Sequence, residues 1–227
     1  MNIRLFKQLA LATCMTAALT ACELKESYHV QNAQDLVSAS SATEFLSDYG
    51  VLYTVTSDLS DRKWSVGNRY LIVFDIENSS YEITLKSYAE AVVSIPQEAD
   101  WEERTPGDPV MVDGHTASGG YLNLQISFYR LKGGNYPHSF SMQYKDNVQN
   151  GALTLYLHHD GNGENPLNID EDSLEKATIL YSFKLAGLLP EGTSRTLYLV
   201  LDELEENATG DVLKENTYNL YDQQITF

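Results

Sequence analysis

Apolar and polar positions alternate most cleanly in the second half of the chain. In residues 121–129, Leu122, Leu124, Ile126 and Phe128 are interleaved with Asn123, Gln125 and Ser127. In 151–158, Leu153, Leu155 and Leu157 alternate with Thr154, Tyr156 and His158, and in 194–202 Leu197, Leu199 and Leu201 form the apolar row. A period of two sends one row of side chains into a core and the other into water, as antiparallel sheets require. Gly133-Gly134-Asn135, Asn150-Gly151 and Gly161-Asn162-Gly163 supply turns in which positive φ is tolerated. Regular strand and turn spacing without long helical stripes predicts an antiparallel β-sandwich over residues 104–227. Residues 173–177 are the one helical candidate.

The first half is patterned less regularly. Residues 51–55, 69–74, 81–85 and 91–95 are β-branched, aromatic or apolar runs bounded by Gly50, Asp58, Gly67, Asn78 and Pro96. Short strands at this density suit a small barrel, placed at residues 44–103. Residues 98–109 are acidic and contain Pro106, Gly107 and Pro109, so the domain boundary is expected there. Residues 22–43, with VSASSAT at 37–43, hold no period and are expected to be a flexible tether. The expected fold class is all-β.

The first 21 residues change the picture from fold to address. Arg4 and Lys7 precede an uncharged run of about a dozen apolar residues, the layout of a secretory signal and too short to span a membrane. The run ends in Leu19-Thr20-Ala21-Cys22, which resembles the lipobox of bacterial lipoproteins. That resemblance makes residues 1–21 a lipoprotein signal peptide and Cys22 the acylated, membrane-anchoring residue, with palmitate as one of its chains. Each buried acyl methylene contributes about 0.8 kcal/mol, so several chains hold durably.

Charge and cysteine content narrow the function classes. The chain of 227 residues carries 32 acidic and 15 basic side chains. Loss of the signal removes Arg4 and Lys7 and no acid, taking the formal charge from -17 to -19. A surface so negative repels phosphate backbones, which argues against a nucleic-acid partner. Cys14 and Cys22 are the only cysteines, so the folded part has no disulfide framework, thiolate zinc site or cysteine nucleophile.

Several stretches resemble a known family. SVGNRYLIVFDI at 65–76 resembles the glycine-led strand of the NigD-like N-terminal barrel, a domain of oligonucleotide/oligosaccharide-binding (OB) type. DPVMVDGHTASGGYLNLQISFY at 108–129, PHSFSMQYKD at 137–146, GALTLYLHHDGNGEN at 151–165 and YSFKLAGLLPEGTSRTLYLVL at 181–201 are similar to the NigD-like C-terminal β-sandwich. The resemblance implies an OB-like barrel followed by a sandwich in a lipid-anchored envelope protein of a Gram-negative bacterium, expected at the outer membrane. It brings no catalytic residue. The family's association with bacteriocin loci implies an immunity or inhibitor role as an alternative, and a glycan-active enzyme is the remaining one.

Candidate chemistry is sparse. Asp160, Asn162, Glu164, Asn168 and Glu171 fall at positions 1, 3, 5, 9 and 12 of a calcium-loop spacing, where hard oxygen ligands can wrap one ion. Against that, Asn165 stands where the loop wants glycine and Pro166 follows, so an exposed hairpin connection explains the same residues. His158 and His159 are adjacent and point to opposite faces of a strand, which disfavours one shared metal ion. No Gly-x-Ser-x-Gly elbow, phosphate-cradling loop or dinucleotide fingerprint occurs, and the expectation is a protein that is not an enzyme and needs no cofactor, calcium excepted. Fifteen tyrosines and the tryptophans Trp64 and Trp101 favour binding of a protein or polysaccharide instead. Tyr121, Tyr129, Tyr144, Tyr156 and Tyr198 are the candidate contacts, although tyrosine's strand propensity accounts for them equally well. Asp172-Ser173-Leu174 resembles an Asp-Ser/Thr-apolar O-glycosylation motif, which makes Ser173 a candidate modification site.

Overall fold

The computed structural model describes residues 30–60, 63–76, 80–99, 105–134, 137–207, 210–219 and 225–226. The signal 1–21, Cys22 and Trp101 lie outside them. The fold is all-β, in two compact units that divide between Ala91 and Val92.

The first unit holds β1 (Val30–Ala39), β2 (Glu44–Ser47), β3 (Leu52–Asp58), β4 (Arg69–Ile76) and β5 (Glu82–Glu90). They close into a barrel in the order β1-β2-β3-β5-β4. β3 and β5 run parallel and the other pairs antiparallel, the five-stranded OB arrangement. Tyr70, Ile72, Phe74 and Ile76 alternate into the interior, where they meet Phe45, Tyr53, Ile83 and Leu85. Aromatic rings make up much of this core: Phe45 and Trp64 lie 4.8 Å apart, Tyr53 and Phe74 4.8 Å, and Tyr70 and Tyr88 5.3 Å. The Trp64 indole N–H reaches the Ser41 carbonyl at 3.0 Å, giving the ring's polar edge a partner. Much of the aromatic excess of the first half is therefore core.

The expected tether at 22–43 is corrected by β1. Residues 30–39 form the strand that closes the barrel, pairing β2 on one side and β4 on the other. Its inward row is Ala33, Asp35, Val37 and Ala39, small or polar except for Val37, so no hydrophobic period marks it.

The second unit packs two sheets around one core. One runs β14 (Gly210–Asn219), β13 (Ser194–Asn207), β11 (Ala152–Asp160), β10 (Ser139–Asn147) and β7 (Gln97–Glu98), with β15 (Ile225–Thr226) also on β13. The other runs β6 (Val92–Ser94), β12 (Leu174–Lys184), β9 (Tyr121–Leu131) and β8 (Met111–Ser118). Leu122, Leu124, Ile126 and Phe128 from one sheet meet Leu153, Leu155, Leu157, Leu197, Leu199 and Leu201 from the other. The period-two rows are thus the two inner faces of the sandwich.

Four expectations change here. The sandwich is mixed, because β10–β7, β11–β13 and β12–β6 pair in parallel. The boundary moves from 103/104 to 91/92: residues 92–94, expected within the barrel, extend the second unit's sheet through β6. Residues 107–109, expected as linker, are fixed to the second unit together with Val110, with the Asp108 amide on the His159 carbonyl at 2.8 Å and the Val110 amide on the Asp202 carbonyl at 2.9 Å. The helical candidate 173–177 is instead the start of β12, entered from a single 3-10 turn at Glu171–Ser173.

The polar row of β9 is not in water either. Asn123, Gln125 and Ser127 are buried, and the neighbouring strands supply partners for Asn123 and Ser127. Ser182 donates to the Asn123 side-chain oxygen at 2.6 Å, and Ser127 bonds both Asp113 and Thr178. Polar groups on a central strand stay tolerable when flanking strands satisfy them.

Candidate functional site

The densest polar chemistry in the described residues lies at one end of the sandwich. His159 is the last inward residue of β11 and follows Leu153, Leu155 and Leu157 in the same row. Cross-strand register places Phe140 of β10 opposite it. The two rings stack at 4.6 Å and 8°. His138, just before β10, lies nearly parallel to His159 with ring centroids 5.1 Å apart.

A chain of hydrogen bonds runs through these rings. His159 Nδ1 faces the Asp108 carbonyl at 3.3 Å, and its Nε2 meets His138 Nδ1 at 2.8 Å. His138 Nε2 meets Glu164 Oε2 at 3.1 Å, and that oxygen also accepts the Leu131 amide at 2.7 Å. The Asp108 carboxylate accepts from the Gly161 amide and the Asn165 side chain, both at 2.8 Å. Three segments distant in sequence are tied at this end: 107–110, the β9–β10 connection, and β11 with the loop after it.

The electrostatics follow from burial. His159 is 3% exposed, and desolvation, with His138 adding to it, pushes its pKa down to about 4, so it is neutral at pH 7. Burial works to raise the Glu164 pKa, but the Leu131 N–H and His138 outweigh it and hold the carboxyl below its ordinary value. Beside the chain lies an open cleft of about 340 Å³, lined by Pro106, Gly107, Asp108, His158, His159, Asp160 and Asn165. His158 faces away from His159 and is half-buried at the cleft wall, as the strand's period requires.

The calcium spacing does not become a calcium loop. Asp160 Oδ1 accepts the Asn162 amide in a local turn, Glu164 points inward to His138, and Glu171 sits in a separate 3-10 turn. Asn168 ends another such turn, which Asn165 caps. Pro166 starts that turn. Among the described residues no group of three or more His, Cys, Asp or Glu side chains is placed to hold a metal ion.

The five tyrosines do not converge. Tyr121 and Tyr129 lie on the outer face of β9, eight residues apart or about 26 Å at the rise of a strand. Tyr156 and Tyr198 share the outer face of the other sheet, where Tyr198 pairs with Thr154 and Tyr156 with Val200. Tyr144 takes the inward row of β10 and packs on the core. Ser173 is exposed at the end of its turn, beside buried Leu174.

Sequence reading passed over His138 and placed Glu164 in the wrong set. The usable signal was the pair of flanking histidines in PHSF and LHHD, but only the register between β10 and β11 brings them together. In the barrel, a separate surface feature emerges: Leu46 and Leu52 are a directly opposed pair on the outer face of the β2–β3 hairpin, 44% and 45% exposed, with Tyr49 at its turn 67% exposed.

No protein-family model matches the chain, and no curated protein matches it. Solved structures do. A NigD-like immunity protein from Bacteroides caccae superimposes with a TM-score of 0.61 at 18% identity, over 87% of this chain and 98% of its own. The chain has the NigD-like fold. A protein of unknown function from Bacteroides vulgatus shares that fold at TM-score 0.59 and 15% identity, over 88% of this chain and 91% of its own. A proposed lipoprotein from Bacteroides fragilis does so at 0.53 and 15%, over 84% and 99%. None of the three is named for an enzymatic activity.

Proposed function

We propose that this NigD-like-fold protein is a non-catalytic envelope lipoprotein, anchored at the outer membrane through Cys22, that binds a partner protein or polymer. The observation that carries the reading is the fold shared over 87% of the chain with a NigD-like immunity protein. The Leu19-Thr20-Ala21-Cys22 sequence supports the anchor. The Leu46, Tyr49 and Leu52 surface supports protein recognition, because an aliphatic pair beside a tyrosine suits another polypeptide better than a sugar ring.

A photo-crosslinking residue placed at Leu46 in living cells tests this. A discrete adduct is expected that is absent when the same group is placed at exposed Lys184 on the sandwich. Identical patterns from both positions would remove the barrel hairpin as the binding surface.

A second reading is capture of a toxin, favoured by the immunity protein among the structural neighbours. Deleting the gene and challenging with bacteriocins of related strains separates the two. Unaltered sensitivity excludes immunity.

A further inference from the structure

The cleft at the end of the sandwich has a wall whose hydrogen-bonding groups are held in place and only partly used. Residues 107–110 are tied to both β11 and β13, with the Asp108 amide on the His159 carbonyl at 2.8 Å and the Gly107 amide on Asp202 Oδ2 at 2.7 Å. Gly107 permits that approach. It does not take positive φ, and a Cβ on it would lie 2.9 Å from the His159 amide nitrogen and 3.0 Å from His158 Nδ1. A Cβ on Gly161 would lie 3.1 Å from Asp108 Oδ2. Both glycines supply space, and the wall stands ready without a ligand.

Four side chains carry the unused capacity. Each oxygen of the Asp108 carboxylate takes one donor, from the Gly161 amide and the Asn165 side chain, and each can accept a second. Asn165 accepts the Leu167 amide and gives one N–H to Asp108. Those two bonds fix its orientation and leave its other N–H without a partner among the described residues. Asp160 spends one oxygen on the Asn162 amide. The His158 imidazole has no hydrogen-bond partner among the described residues. It stands two residues from Asp160 on the outer row of β11, about 7 Å along the strand. His159 adds only wall, because its ring nitrogens are directed to the Asp108 carbonyl and to His138.

These groups select a chemistry. No Lys or Arg among the described residues lines the cleft, and its carboxylates repel an anion such as phosphate. An ammonium only donates, so it would satisfy the carboxylates and leave the Asn165 N–H facing its charge. An apolar ligand would bury all four groups unpaired. A ligand with several hydroxyls both donates and accepts, and it meets every one of them. Pro106 supplies an apolar ring for its C–H bonds. A volume of about 340 Å³ is at the small end of ligand clefts and suits one ring rather than a chain.

We propose that this cleft binds one neutral pyranose, free or at the end of a glycan. Its hydroxyls donate to Asp108 and Asp160 and accept from Asn165, and His158 bonds it as donor or acceptor. The inference goes beyond the function proposed above. It rests on the second unit alone and uses neither Cys22 nor the Leu46 surface, so crosslinking at Leu46 does not decide it.

Titration of the nitrogen-15-labelled protein, purified from membranes in a detergent without sugar, tests the site by NMR. The probes are glucose, galactose, mannose, fucose and N-acetylglucosamine, each also as its methyl glycoside. At least one is expected to shift the Gly107 and Gly161 amides and the Asn165 side-chain amide at millimolar concentration, with the Leu46 and Tyr49 amides unmoved. A response to the glycoside assigns a chain end, and a response to the free sugar alone assigns a free ring. His158→Ala and Asp160→Asn should each weaken binding by about tenfold, the loss of one hydrogen bond, with the melting temperature unchanged. Asparagine at 160 keeps a side-chain oxygen for the Asn162 amide. Lysine methyl ester and inorganic phosphate are the charged controls. The proposal is overturned if no sugar moves these amides at tens of millimolar, if a charged probe moves them more than any sugar, or if both variants bind as wild type does.

Discussion

Two buried titratable side chains respond to pH in opposite directions, one in each unit. His159 has a folded pKa of about 4 against 6.5 for the free ring, so the unfolded chain binds the extra proton across that window. Stability contributed by the neutral ring is complete above pH 6.5 and is lost as pH falls toward 4. Between pH 6.5 and 4.5 this one group is expected to remove about 2 kcal/mol. Urea unfolding at the two pH values should show that loss in wild type and a drop smaller by about the same amount in His159→Phe, which keeps the ring stack on Phe140. Equal slopes would mean that other groups carry the acid response. Asp35 has the reverse sign. Burial inside the barrel, against the Tyr53 hydroxyl and the Leu36 amide that favour its charge, raises its pKa to about 6 from 3.8. The folded state therefore holds that proton more tightly, and stability is lost as pH rises through 6. Asp35→Asn is expected to stabilise the protein at pH 7 by about 1–2 kcal/mol, discounted for partial exposure, and to gain nothing near pH 4. A thermal melt of the variant at both pH values checks this.

Elements were legible where one hydrophobic row met one core. The rows of β9, β11 and β13 can be read directly from their leucines, and the barrel from β4 with its run of Tyr70, Ile72 and Phe74. β1 was hidden because a closing strand needs hydrogen-bond partners more than bulk, and Asp35 interrupts its inward row. β6 was legible as a strand and misassigned, since nothing local tells residues 92–94 which sheet they join. The histidine chain was illegible for a related reason: residues 138, 159 and 164 meet only through strand register and a loop that turns inward, neither of which spacing specifies. The β2–β3 hairpin shows how a polar pair can pin an element. Asp48 at its turn takes both guanidinium nitrogens of Arg69 on β4 at 2.8 and 2.9 Å, with both side chains 3% exposed. Removing one partner of such a pair strands a buried charge, so Arg69→Ala is expected to cost about 3–5 kcal/mol. The double change Arg69→Met with Asp48→Leu should cost much less, because it removes both charges and refills the space. Denaturant melts of the two variants decide it: a double variant as weak as the single one would show that the pair's geometry, and not the orphaned charge, holds the hairpin.

For the whole molecule, the anchor and the net charge act against each other. From Cys22 to Val30 an extended chain reaches at most about 28 Å, so a lipid on Cys22, as proposed above, would hold the barrel start within roughly one domain diameter of the bilayer. The protein that would be held there carries a formal charge of -19 without its signal, and an anionic bilayer repels it. No described helix is long and apolar enough to cross a membrane. On this account membrane association rests on the acyl chains alone, and several chains easily outweigh a repulsion that salt screens within about 8 Å at physiological ionic strength. The expected outcome is sharp in a flotation assay. Wild-type protein from cells rises with the membrane fraction, and a Cys22→Ala variant made without residues 1–21 stays at the bottom at both low and high salt. Vesicles containing anionic lipid should fail to lift the unacylated variant, and neutral vesicles should fail equally. If Cys22→Ala floats on neutral vesicles, the exposed hairpin of Leu46, Tyr49 and Leu52 has inserted into lipid, and its role as a protein-binding surface would be displaced by a membrane one.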